Sequence, residues 1–282
     1  MVNKFMTKPY DDPRSLQELS VREARISALR EPHIAKLTKF VDKLRTDTGH
    51  GKNIPYFDPC DGGENAEVLF LLEAPGPKAV KSGFISRNNN DATAKNLFEL
   101  NVAAGISRKL AIIWNIVPWY IGDGKKIRHP SHSELNVGFN HLTKLLLILE
   151  KIKVIVLVGK HASNAALGKL KQDAPNLVII EVPHPSGTNI NCNLPELYDS
   201  KITADSINEK ADKICDRTSI DAFLNEYLKR ENNKEKGMKV LLNQWLDISI
   251  AILESNKNIQ TESVKPLAVT KVNSGTANDT TI

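Results

Sequence analysis

Between Glu67 and Val182 the chain alternates short apolar runs with amphipathic stretches, and this alternation limits its fold more than any other feature. "EVLFLL" (67–72), "LAIIW" (110–114), "VIVLV" (154–158) and "LVIIEV" (177–182) have strand length and are dominated by Val, Ile and Leu. "TAKNLFELNVAA" (93–104), "SELNVGFNHLTKLLLILEK" (133–151) and "NAALGKL" (164–170) carry apolar residues at helical spacing. Ser133 is the expected cap of the second of these. Strands separated by helices pair in parallel and carry helices on both faces. The order therefore predicts an α/β fold, a three-layer αβα sandwich with a central four-stranded parallel sheet, plus helical N- and C-terminal extensions.

The flanks divide the chain further. Residues 15–46 have helical spacing with a break at Glu31-Pro32, and a loop dense in Gly, Pro, Asp and Asn follows, so 1–61 is a helical N-terminal extension and loop. The α/β core is then 62–195, and 196–254 is a C-terminal helical extension containing "SIDAFLNEYLKRENN" and "GMKVLLNQWLDISIAIL". Residues 255–282 are rich in Ser, Thr, Asn and Lys without aromatics, the composition of a disordered tail. At 282 residues and 41% hydrophobic, the chain has material for one good core plus appendages.

Lys144, Glu150, Lys151 and Lys153 interrupt the longest apolar stretch, and the N-terminus lacks an apolar signal core, so a cytoplasmic location with no membrane partner is expected. Cys60, Cys192 and Cys215 are odd in number and have no Cys-x-x-Cys spacing, so neither a disulfide framework nor a zinc or iron-sulfur site is expected. A net charge of +5 is compatible with a phosphate-bearing partner and does not select one.

In an open parallel sheet every strand's carboxyl end opens onto the same edge, where ligands bind. Here those ends carry "EAPG" (Glu73 to Gly76), "NIVPW" (Asn115 to Trp119) and "HPS" (His184 to Ser186). A glutamate, an asparagine and a histidine, each beside a proline-bearing turn, should therefore converge on one crevice. His184 lies between Pro183 and Pro185, whose rings fix the backbone on either side of the imidazole.

These strand ends, in this order, resemble the uracil-DNA glycosylase superfamily, in its Glu-Ala-Pro-Gly type, over roughly residues 62–195. The resemblance implies a monofunctional base-excision glycosylase that flips uracil out of DNA and hydrolyses its N-glycosidic bond, leaving an abasic site. It implies His184, Glu73 and Asn115 as catalytic residues, and Glu73, Ala74, Phe84, Asn115 and His184 around the base. Phe84, in "KSGFIS", is the expected stacking platform. Pro75, Gly76, Ser186, Gly187, Thr188 and Ile190 are the implied DNA contacts, with Ile190 as the wedge that fills the vacated stack. Lys78, Lys81, Arg87 and Lys95 are further candidates for the DNA path. The implied partner is uracil-containing DNA, bound by a monomer with no cofactor and no metal.

The chemistry behind these positions stands by itself. One fixed amide, its carbonyl to uracil N3–H and its amino group to O4, pairs with uracil and mispairs with cytosine; Asn115 has that chemistry. As the glycosidic bond breaks, negative charge gathers largely on O2 of the leaving base, and a donor already fixed there lowers the barrier. His184 is such a donor. Each residue also has an ordinary alternative: Asn115 as a turn residue, Phe84 as core, the lysines as a solvated face.

The chain departs from the superfamily pattern at Ala74, where many members carry an Asp or Asn that positions the attacking water. That task passes to Glu73, to Asn88, Asn89, Asn90 or Asp91, or to no side chain, and Asp91 is equally an N-cap for the helix that follows. Three scattered cysteines cannot supply the four ligands of an iron-sulfur cluster. Gly76 stands where some members have a bulky ring against the thymine methyl, leaving selectivity open. Two other readings remain: a DNA-binding member of the fold without catalysis, and an α/β enzyme acting on free nucleotides.

Overall fold

The computed structural model describes residues 11–123, 127–195, 202–214, 217–227 and 232–262. Its first half contains α1 (Leu19–Ser27), α2 (Ala35–Thr48), β1 (Tyr56–Phe57), β2 (Val68–Leu72), α3 (Pro77–Ser82), β3 (Phe84–Ile85), α4 (Ala92–Ala103) and β4 (Ala111–Asn115). The second half contains α5 (His132–Leu146), β5 (Val154–Val158), α6 (Lys160–Asp173), β6 (Val178–Val182), α7 (Ala204–Ala211), α8 (Thr218–Tyr227) and α9 (Asn233–Glu262).

The four expected strands form one parallel sheet in the order β4-β2-β5-β6, with Leu72 opposite Asn115 and Val158 opposite Val182. Every side chain of β4 and β5 is buried, as an apolar run between two helical layers requires, whereas β6 is a half-exposed edge. After central β2 the chain moves to β4 on one side and then crosses to β5 on the other. Such a reversal opens a crevice beyond the carboxyl ends of the strands.

One helical layer is α5 packed on α6, with α6 against β5, β2 and β6; the other is α4 with α9, and α9 lies over β5 and β6. Trp245 of α9 is wholly buried, stacks 6.2 Å from Phe70 of β2, and donates its Nε1 hydrogen to Asn101 of α4 at 2.8 Å. The segment expected as a C-terminal extension therefore supplies a wall of the sandwich. Its last helix also runs past Ser255 to Glu262, so the expected tail starts too early; its remainder, 263–282, lies outside the described residues.

Local sequence explains the helix starts. Ser131, not Ser133, caps α5: its hydroxyl accepts from Glu134 N at 3.2 Å while Glu134 accepts from Ser131 N at 2.9 Å, a reciprocal pair that needs a Glu three residues on. Asp91 caps α4, accepting from Ala94 N at 2.9 Å.

The N-terminal segment is bound to the core through a buried ionic knot. Arg108 pairs with Asp58 at 2.7 Å, with Asp61 at 2.8 Å and with Asp11, while Arg25 lies 2.8 Å from Asp58 and Ser86 donates to Asp58 at 2.5 Å. Burial opposes charge on Asp58, yet the two guanidiniums hold its carboxyl below the ordinary range. Among the described residues no helix is long and apolar enough to cross a membrane.

Candidate active site

Beyond Leu72 and Asn115 the pairing of β2 with β4 continues for one more step, with Ile116 N donating to Leu72 O at 2.8 Å and Val117 N to Glu73 O at 2.9 Å. This fixes the backbone of both strand-end motifs. Gly76 then caps the short α3, with Pro77 at its first position, and the turn wraps around a cavity of about 400 Å³. Its walls are largely aliphatic, from Leu72, Pro75, Ile85, Leu97 and Ile113, and Asn115, Asp91 and His184 bring polar groups to it. An apolar pocket with a few convergent polar groups is the usual form of a small-molecule site.

Asn115 is 3% exposed, and among the described residues its side-chain amide makes no hydrogen bond. With no partner among the described residues, that amide opens onto the cavity and is free to meet a ligand there. His184 reaches the same cavity from the end of β6. Its carbonyl accepts from Asn189 Nδ2 at 3.0 Å, and the Pro185 carbonyl accepts from the buried Asn96 Nδ2 at 2.8 Å, so the loop is held from both sides. Gly159, at the end of β5 with φ +87°, makes room for it: a Cβ there would lie 3.1 Å from that of His184. Burial pushes the His184 imidazole down to about 4, so it is neutral at neutral pH. Asp91, also on the cavity, is raised by burial against the opposing pull of the Ala94 and Thr93 amides.

The structure brings Ala74, Pro75, Gly76, Asn115 and His184 together on this cavity and sends other expected residues elsewhere. Phe84 is not its platform: the ring is 1% exposed and packs on Leu16 and Val21 of the N-terminal segment. Successive strand residues face opposite ways, so in the two-residue β3 it is Ile85 that meets the cavity. Ile190 is not an exposed wedge either. It is 1% exposed in a π turn under α9, where Gly237 crosses so closely that a Cβ would overlap the Ile190 carbonyl.

Glu73 points away from this cavity into an adjoining cleft of about 990 Å³, which His184 and Ser186 also line. Gly187 and the exposed Thr188 follow Ser186 on the same loop. Arg87 is buried and paired to Asp11 at 2.5 Å, which removes it from the expected DNA path; Lys95 pairs with Glu99 at 3.0 Å along α4 and stays partly exposed, Lys78 stays at the cavity rim and Lys81 opens toward the N-terminal segment. Asn88 is taken up by Asp12 O at 2.8 Å, Asn89 by Phe84 O at 2.9 Å and Asn90 by Gln17 at 3.0 Å. Asp91 thus remains as the carboxylate on the cavity.

Gly159, Ile85 and Asn96 were not legible as site residues. A glycine ending an apolar run carries a signal that a close approach is needed, whereas an asparagine inside a helical pattern carries none.

A family model described as the Uracil DNA glycosylase superfamily matches residues 59–203, a span that contains all three strand-end motifs and stops before α7. No curated protein matches the chain.

Proposed function

The chain belongs to the uracil DNA glycosylase superfamily, and from that premise we propose that it removes uracil from DNA, hydrolysing the N-glycosidic bond of an extruded nucleotide to leave an abasic site. The observation that carries this reading is the Asn115 amide, without a hydrogen bond among the described residues, facing the same aliphatic cavity as a neutral His184. The amide reads uracil N3–H and O4, and cytosine, with its acceptor and donor exchanged, leaves both bonds unmade. The aliphatic walls replace the stacking that the base loses in leaving the helix.

His184 donates a hydrogen bond toward O2, where charge develops as the bond to the sugar breaks. Fixed between two prolines, with Asn96 and Asn189 holding its loop, it needs no reorganisation at that moment. Asp91 receives the water. One of its oxygens caps α4, the carboxylate keeps further acceptor capacity, and its raised pKa moves it toward the range suited to a general base. Ser186, Gly187 and Thr188 lie on the loop beside the cavity and are assigned to flanking phosphates, with Gly76 and Lys78 on the opposite rim.

Ala74, whose methyl group lines the cavity at the motif-one position, favours a second reading in which the chain binds DNA without catalysis. Oligonucleotides carrying one uracil, single-stranded or opposite guanine or adenine, separate the two. Alkali-dependent cleavage at the uracil is the expected result. Binding without cleavage supports the second reading, and absence of binding contradicts both.

A further inference from the structure

We propose that Glu73, His129 and His161 form a binding site for a divalent transition-metal ion of the zinc class, in the cleft beside the base cavity. One ligand atom from each lies within 4.8 Å of the others. They come from three elements: the end of β2, the loop before α5 and the first turn of α6. The His129 and His161 rings have centroids 4.8 Å apart at a tilt of 34°, and Glu73 Oε2 is 4.0 Å from His161 Nε2, too long for a hydrogen bond. Among the described residues none of the three side chains has a hydrogen bond of its own. An ordinary His–Glu pair would engage one imidazole; here two imidazoles and a carboxylate converge with their ligand atoms unused.

The backbones beneath them are fixed. The Glu73 carbonyl accepts from Val117, and the His129 carbonyl accepts from Arg128 at 3.1 Å, whose guanidinium is held by Glu134 at 2.6 and 2.8 Å within the cap of α5. Metal–ligand bonds of about 2.0–2.2 Å in a tetrahedron put ligand atoms about 3.3–3.6 Å apart, so closure takes a movement on the order of 1 Å. These partly exposed side chains can make it by torsion.

Two imidazoles with one carboxylate suit zinc and its neighbours, whereas calcium and magnesium take oxygen ligands. Three protein ligands leave a position open toward the cleft for water or an anionic oxygen. The ligands are far apart in sequence, which is why the sequence pointed to no metal. This site does not depend on the glycosylase reading.

Untagged full-length protein, stripped with chelator, should take up one equivalent of Zn²⁺ by calorimetry and give visible Co²⁺ absorption without a thiolate charge-transfer band. His129→Ala and His161→Ala should each weaken uptake by about tenfold or more. His132→Ala, an exposed histidine outside the cluster, should bind as wild type. No stoichiometric uptake, a thiolate band, or uptake that either cluster variant leaves unchanged overturns the proposal.

Discussion

At the scale of single residues, uracil excision by this protein would rest on Asn115 and His184. Asn115→Ala should reduce uracil excision about a hundredfold in single-turnover assays, because the base edge then meets no partner in a largely aliphatic cavity. His184 also makes a prediction about stability. Its folded-state value of about 4 lies below the unfolded 6.5, so as pH falls between those values the unfolded chain takes up a proton that the folded chain refuses. Its contribution is intact above about 6.5 and is lost toward 4. Urea denaturation should therefore show wild type losing more stability than His184→Asn between pH 7 and 4; equal losses would mean that the imidazole is solvated. The histidine, the asparagine and the motif-one turn were legible because each ends an apolar run. Phe84 was misplaced because side-chain parity in a two-residue strand is set by tertiary neighbours, here Leu16 and Val21, rather than by local pattern.

At the scale of elements, the site depends on strand ends meeting without interference. Gly159→Ala forces a side chain into positive φ and against the His184 Cβ, which should cost about 1–3 kcal/mol in stability and displace the His184 loop. The expected result is slower excision with folding retained. An excision rate equal to wild type would separate the glycine from the site. The strands were readable to within a residue because runs of Val, Ile and Leu mark them, unbroken in buried β5 and interrupted only by Glu181 in the half-exposed β6. The role of α9 was not readable as a wall of the core, although one signal was present: Met238, Val240, Leu241, Leu242, Trp245, Leu246 and Ile248 are all buried, too many for a single helical stripe. Trp245→Ala should cost about 3–5 kcal/mol by denaturation, far beyond what an appended helix could show.

At the scale of the whole molecule, the N-terminal segment and the loops around β2 and β3 are tied by Arg108. Arg108→Met leaves Asp58 and Asp61 buried without that cation, and the expected loss is about 3–5 kcal/mol. Full retention of stability would mean that the knot is dispensable. No sequence pattern announced the knot, since its members are scattered from Asp11 to Arg108 and only the fold assembles them. Taken whole, the fold is proposed to present a cavity that reads uracil and stabilises the leaving base. Its most direct test is single-turnover excision from a uracil-bearing oligonucleotide by wild type and His184→Ala, with DNA affinity measured in parallel. Wild type should give alkali-dependent cleavage at the uracil, and the variant should lose about a hundredfold or more with affinity kept. Wild-type protein that binds the oligonucleotide yet leaves the uracil in place, or a variant that excises as fast as wild type, would contradict it.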